Sequence, residues 1–190
     1  MTDLRLAVIT ASVRQGRFGP VVSRWFSDVA RKHGRFAVDD IDLAGVPLPL
    51  ELPSGRDAWE RPEGLAPVTA LLDQADAFVV VTPEYNHSFP ASIKSLIDWH
   101  LTEWAAKPVG FVSYGGLAGG TRAVEQLRQV FAETHSVTVR DMLSFDRYWE
   151  RFGADGKPLD AEAEGAAKVM LDQLGWWAGA LRAARPYVSA

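Results

Sequence analysis

The sequence predicts an α/β fold, a three-layer sandwich in which helices cover both faces of a five-stranded parallel sheet of order 2-1-3-4-5. Two observations carry this. Short runs of branched apolar residues alternate with longer stretches whose apolar residues recur at helical spacing. Three of the strand ends empty into polar or glycine-rich turns that open the next helix. Strand–helix alternation calls for parallel neighbours joined by right-handed crossovers, which leaves only a few doubly wound orders. At 190 residues, 47% of them hydrophobic, the chain fits one domain spanning 1–190, since a domain typically takes about 100–200 residues.

The elements follow in order. Leu4–Ile9 reads as a buried first strand entered directly from Met1-Thr2-Asp3, and Thr10–Gly19 as the loop after it. From Pro20, the stripe Val21, Val22, Trp25, Phe26 and Val29 predicts a helix closed by Gly34. Phe36–Ile41 is a strand whose Asp39 and Asp40 suit an edge. Between Leu43 and Pro67 five prolines predict a long loop, which fits a functional or interface role and equally a plain surface meander. Val68–Gln74 is a short helix, and Ala77–Val81 a central strand, apolar throughout. After Thr82–Pro90, the residues Ile93, Leu96, Ile97, Leu101 and Trp104 predict a helix over 91–104. Pro108–Tyr114 is the fourth strand. The turn Gly115–Gly120 leads to a helix with Thr121 as its N-cap and Val124, Leu127, Val130 and Phe131 inside. Ser136–Arg140 is the last strand, and Ala163, Ala166, Met170, Leu174, Trp177 and Leu181 mark a long final helix.

Composition excludes several functions. A net charge of -4 disfavours nucleic acid, which needs clustered Lys and Arg to displace counterions. No apolar run approaches the roughly 20 residues that span a bilayer, so a cytoplasmic protein without a membrane partner is expected. Zero cysteines remove thiolate ligands, Cys nucleophiles and dithiol redox chemistry, so redox activity needs a borrowed cofactor. His33, His87, His100 and His135 lack paired ligand spacing, so no metal is expected.

Three loops should meet at the carboxyl edge of the sheet, where open α/β folds bind ligands. The first carries Ser12, Arg14, Gly16, Arg17 and Gly19 at a helix entrance, a setting that favours phosphate. Taken alone, it also fits a solvated turn with Ser12 as a cap. The second, Thr82–Pro90, has aromatic and amide groups without basic charge and suits a flat heterocycle, with Tyr85 and His87 against a face and Asn86 at an edge. Glu84 finds no partner as a general acid and reads as structural. The third, Ser113–Gly120, lets backbone N–H groups approach a ligand. Its glycines do not space as a dinucleotide fingerprint, and Ser113 does not sit in a nucleophile elbow.

Pro83-Glu84-Tyr85-Asn86, the following Pro90-Ala91-Ser92-Ile93-Lys94-Ser95-Leu96-Ile97-Asp98-Trp99, Lys107-Pro108, and Gly115-Gly116 with Arg122-Ala123 together resemble the NADPH-dependent FMN reductase family over nearly the whole chain. The resemblance implies a flavodoxin-like fold, FMN as cofactor and NADPH or NADH as co-substrate. It implies hydride transfer through FMN to a small-molecule acceptor such as free flavin, quinone, azo dye or metal oxyanion, without a catalytic side chain. Carried over, the phosphate contacts are Ser12, Arg14, Arg17, Phe18 and Gly19. The ring contacts are Pro83, Glu84, Tyr85, Asn86, Ser113, Tyr114, Gly115 and Gly116. The family often has Gly before the first-loop Ser, with Ser and Asn later in that loop; this chain has Ala11, Arg17 and Gly19. An electron-carrier flavodoxin or a flavin-binding sensor is the alternative, against which the basic first loop and Pro-Glu-Tyr-Asn argue. The resemblance also implies a homodimer or homotetramer packed through the helix after that motif. Some of the seven tryptophans, among them Trp99, Trp104, Trp149, Trp176 and Trp177, are expected at a subunit interface.

Overall fold

Unbroken apolar runs make the centre of the sheet, and strands interrupted by charge make its edges. In the computed structural model, which describes residues 4–53 and 60–185, the strands are β1 (Leu4–Thr10), β2 (Phe36–Asp42), β3 (Ala77–Pro83), β4 (Pro108–Tyr114) and β5 (Val137–Phe145). Residues 1–3, expected to lead straight into β1, lie outside the described residues. Every residue of β3 and β4 is buried. The order is β2-β1-β3-β4-β5 and every neighbouring pair is parallel. Thr10 stands opposite Val81, and Thr82 opposite Ser113, so β1, β3 and β4 release their chains close together at one edge.

Two apolar layers hold the sheet. On one face α1 (Gly19–His33) and α5 (Ala163–Ala184) bring Phe26, Val29, Met170 and Leu174 onto Val8, Val79 and Val112. On the other, α2 (Ala66–Gln74), α3 (Ala91–Trp99) and α4 (Thr121–Glu133) bring Leu72, Ile93, Leu96, Leu127 and Phe131 onto Ile9, Val80 and Phe111. Helix α1 ends as its sequence requires: Gly34 takes φ 78, a left-handed conformation that glycine adopts without strain, and Arg31, Lys32 and His33 occupy its last turn.

Some boundaries move, each for a local reason. The helix expected over 91–104 stops at Trp99. His100 ends it: the buried ring lies 2.8 Å by Nδ1 from Leu96 O and 2.9 Å by Nε2 from Thr69 Oγ1, while the backbone turns extended at φ -131. Burial lowers the pKa of this ring. Leu101 is therefore 59% exposed, and Trp104 reaches the core from a turn, packing on Phe78 and Phe131. The N-cap of α4 is Gly120, at φ 87, in place of Thr121, whose hydroxyl donates to Ala118 O instead. Strand β5 runs to Phe145, past the polar Arg140 and Asp141 that masked its continuation.

In the proline-rich segment, whose residues 54–59 lie outside the described residues, 3-10 turns form at Leu43–Gly45 and Glu63–Leu65 and the described chain between them packs over α3. Pro49 O accepts from Ser95 Oγ at 2.7 Å and Trp99 Nε1 at 3.0 Å, and Arg61 pairs with Glu103 at 2.5 Å. Trp99 and Trp104, expected as interface candidates, are thus internal, whereas Trp149 and Trp176 are exposed. At the opposite edge of the sheet from the loops of interest, Lys107 Nζ donates to Leu72 O and Asp73 O at the end of α2. Its burial pulls the pKa down to about 8. No helix among the described residues is long and apolar enough to cross a membrane.

Candidate functional site

Strands β1 and β3 are adjacent, yet their chains leave in opposite senses, toward β2 and toward β4. Such a switch point opens a crevice. Here it is a cavity of about 260 Å³ lined by Arg14, Gln15, Gly16, Arg17, Phe18, Pro83, Glu84, Tyr85, Tyr114, Gly115, Gly116 and Tyr148. Two larger hollows lie elsewhere, about 320 Å³ between α1 and residues 154–157 and about 300 Å³ beside β5. Neither receives the loops after β1 and β3, and it is the smaller cavity that adjoins unsatisfied polar chemistry.

That chemistry lies at the entrance of α1. Among the described residues the Ser12 and Tyr114 hydroxyl oxygens are buried without a hydrogen bond of good geometry; the Ser12 hydroxyl comes close enough to oppose the rise in the Tyr114 pKa, but the approach satisfies neither group. Gly19 lies against both: a Cβ there would stand 2.2 Å from Ser12 Oγ and 2.9 Å from Tyr114 Oη. Glycine at this position is needed for the two hydroxyls to converge. No side chain caps the start of α1. A buried unsatisfied hydroxyl costs about 1–3 kcal/mol, and a bare helix N-terminus favours an anion. Burial also raises the pKa of the Tyr114 phenol, which keeps it a proton donor at neutral pH.

The two arginines of the first loop differ. Arg17 donates to both carboxylate oxygens of Asp42 at 2.6 and 2.7 Å and to Ser12 O at 2.9 Å. Its charge is balanced, and it shapes the loop. Arg14 makes no ion pair among the described residues; its guanidinium lies over the Tyr85 ring, 3.6 Å from the centroid. Stacking of this kind covers a planar cation without neutralising it. Burial raises the Tyr85 pKa, with Arg14 opposing.

The Pro-Glu-Tyr-Asn segment closes as a two-residue hairpin turn. Tyr85 and Ser88 exchange backbone hydrogen bonds of 2.8 and 3.1 Å, and Asn86 and His87 between them both have positive φ, 49 and 72. This is the type I′ pattern, achieved without glycine. Glu84 accepts from Arg122 Nη1 at 2.9 Å and from the Arg122 N–H at 3.3 Å, which places a carboxylate on the first turn of α4. The partner missing from the sequence is therefore a helix end.

In the glycine turn, the Gly115 N–H donates to Phe145 O at 3.0 Å, and Gly116 O accepts from the Arg147 N–H at 2.8 Å. A Cβ on Gly116 would meet no protein atom within 4 Å, so nothing in the protein's own packing demands glycine there. Ser113 is buried with its hydroxyl donating to Gly119 O at 2.8 Å. The Ser113 hydroxyl and the Gly115 N–H are thus both engaged within the protein, and of the two residues Gly115 lines the cavity. Asn86 stands at the exposed apex of its turn, outside the cavity lining. Gln15 and Tyr148 line the cavity without having been singled out for it, beside Gly16 of the expected phosphate loop. Tyr148 follows β5, one of two carboxyl-edge exits not considered, and its ring packs on Phe18 at 4.8 Å and Tyr114 at 5.3 Å. Among the described residues no group of three or more His, Cys, Asp or Glu could hold a metal ion.

The sequence pattern of one family, described as NADPH-dependent FMN reductase, matches residues 4–150. The chain belongs to that family. It is 32% identical over 180 residues to a probable NADPH:quinone oxidoreductase of Oryza sativa subsp. japonica, covering 88% of each chain. It is 35% identical over 131 residues to an NAD(P)H-dependent FMN reductase of Schizosaccharomyces pombe, covering 66% of this chain and 64% of that one. Among solved structures, the flavoenzyme NAD(P)H:(acceptor) oxidoreductase FerB from Paracoccus denitrificans superposes with a TM-score of 0.73 at 22% identity, over 93% of this chain and 98% of that one. That likeness is one of fold.

Proposed function

We propose that this protein is an FMN-dependent NAD(P)H oxidoreductase that passes hydride equivalents to a small-molecule acceptor, and that the FMN phosphate lies at the entrance of α1. The observation that carries this is the pair of buried, unpartnered hydroxyls of Ser12 and Tyr114 meeting at an uncapped helix N-terminus. A phosphate oxygen supplies the acceptor that each hydroxyl lacks, and the helix end and Arg14 supply favourable charge. When bound, FMN supplies the hydride carrier that a chain without cysteine cannot make from its own side chains.

The rest of the cavity acts on the ring. Pro83, Glu84 and Tyr85 form one wall, Gly116 leaves room for close approach, and Phe18 and Tyr148 keep water from the inner side. The Tyr85 phenol, its pKa raised by burial, stays neutral beside the ring. Arg17 holds Asp42 and the Ser12 carbonyl, so it sets the shape of the phosphate loop and leaves the charge to Arg14. An acceptor of the quinone class fits the name of the rice relative, a probable NADPH:quinone oxidoreductase, and a flavin acceptor that of the fission-yeast FMN reductase.

Assembly through α3 belongs to the same proposal. Pro49 is hydrogen-bonded to α3, so the exposed Leu50 and Leu52 lie beside it, and the exposed Leu101 follows its end. Apolar exposure around one helix suits a second copy. Light scattering at micromolar concentration is expected to give a homodimer or homotetramer, and a monomer contradicts this part. The activity is tested by following NADPH absorbance with FMN and menadione present. Oxidation that requires the protein supports the reading, and no oxidation with either NADPH or NADH overturns it.

A further inference from the structure

Three observations meet at the turn Tyr85–Ser88, and they rest on the FMN reading given above. First, both central residues are left-handed and neither is glycine. Non-glycine residues in this region persist only where their surroundings over-determine them. Second, among the described residues the side-chain hydrogen bonds that reach the turn from outside come from one face of α4, while Arg14 of the first loop only stacks on the Tyr85 ring. Ser88 Oγ donates to Gln126 Oε1 at 2.6 Å, Gln126 Nε2 donates to His87 O at 2.9 Å, and four residues earlier Arg122 holds Glu84. Third, α4 starts directly from Gly120, so the helix that grips the turn also continues the glycine turn on the other side of the cavity.

We infer that Gln126 is a positioning residue for the flavin ring: through Ser88 and His87 it fixes the strained turn, and α4 thereby sets the gap between Tyr85 and Gly116. A primary amide suits this task. It accepts from the hydroxyl with one end and donates to the carbonyl with the other, whereas a carboxylate at the same place would face the His87 carbonyl without a proton. The side chain never touches the ring; it acts through the turn.

The test uses the full chain, with lumiflavin as a probe that carries the ring and no phosphate. Gln126→Ala is expected to speed amide hydrogen exchange at Tyr85 and Ser88 in flavin-free protein. It is expected to weaken lumiflavin binding about tenfold, the effect of losing about two net hydrogen bonds. Binding of inorganic phosphate should stay unchanged. Adding His87→Gly is expected to restore both exchange protection and lumiflavin affinity, because Asn followed by glycine adopts the type I′ turn without help. Unchanged exchange and affinity in Gln126→Ala overturn the inference. So does a loss that His87→Gly fails to recover, since it would mean that Gln126 supports the fold at large. If the parent chain binds no lumiflavin, the FMN reading falls first and the inference with it; if only the variant effects are missing, the inference alone falls.

Discussion

Replacing Tyr114 by phenylalanine should change flavin-free stability and FMN affinity in opposite directions. The ring of Tyr114 packs against Phe18 and Tyr148, and Phe keeps those contacts. The hydroxyl is buried with no partner in the flavin-free protein. Removing it deletes a desolvated polar atom and only the loose approach of the Ser12 hydroxyl, which should stabilise the flavin-free protein by up to about 1 kcal/mol. In a chain of this size that corresponds to a rise in Tm of about 2–4 °C. With FMN the same hydroxyl donates to a phosphate oxygen, a charge-assisted bond of about 1.5–3 kcal/mol, so FMN should bind about ten- to a hundredfold more weakly. Riboflavin, which has no phosphate, should bind as before. The measurements are thermal unfolding without ligand and titration of FMN and riboflavin by flavin fluorescence. A fall in flavin-free Tm, or equal losses for FMN and riboflavin, refutes the reasoning.

Arg14→Ala should weaken FMN while sparing riboflavin, whereas Asp42→Asn, which loosens only the exposed partner of Arg17, should cost less than about 1 kcal/mol in stability; equal losses of FMN and riboflavin in Arg14→Ala remove its phosphate role. Gly119→Ala should destabilise the fold by about 2 kcal/mol or more in urea unfolding, because a Cβ at φ 59 would stand 3.0 Å from the Asp146 N–H nitrogen and 3.3 Å from Phe145 C. Lys107 has a pKa of about 8 against an ordinary 10.5. Below pH 8 both states are protonated and the native state bears the full cost of the buried charge. Between the two values the unfolded chain binds more protons, so this group's contribution to stability rises with pH. Lys107→Met does not titrate there, so from pH 7 to 10 the parent should gain up to about 3 kcal/mol relative to the variant in urea unfolding; parallel pH profiles contradict the assignment.

Much of the fold was legible because period and punctuation agreed. Ala77–Val81 had no polar residue to set a face and Pro108–Val112 none before Ser113 at the strand end, and they became the two wholly buried strands. Asp39 and Asp40 marked an edge, and β2 is one. The end of α3 was hidden because a helical stripe reads only hydrophobicity: Leu101 and Trp104 kept the period, while the break came from the hydrogen bonds of His100 to Leu96 and Thr69, one of them 31 residues distant. The candidate site was legible at the level of loops, since strand ends next to glycine, proline and arginine stand out. Which atoms face the cavity was not. Arg14 and Arg17 look equivalent in sequence, and only the approach of Asp42 from β2 separates them. Ser12 and Ser113 are both loop-edge hydroxyls, yet one is orphaned and the other bonded to Gly119. Gln126 carried no signal, because its role depends on where α4 crosses a turn 38 residues earlier.

The account's central claim joins bound FMN to NAD(P)H oxidation in one cavity. Anaerobic mixing of the FMN-loaded protein with NADPH, followed at the flavin absorbance band, tests it most directly. The account predicts that the band bleaches and that a quinone added afterwards restores it. A band that stays unbleached with NADPH and with NADH contradicts the claim.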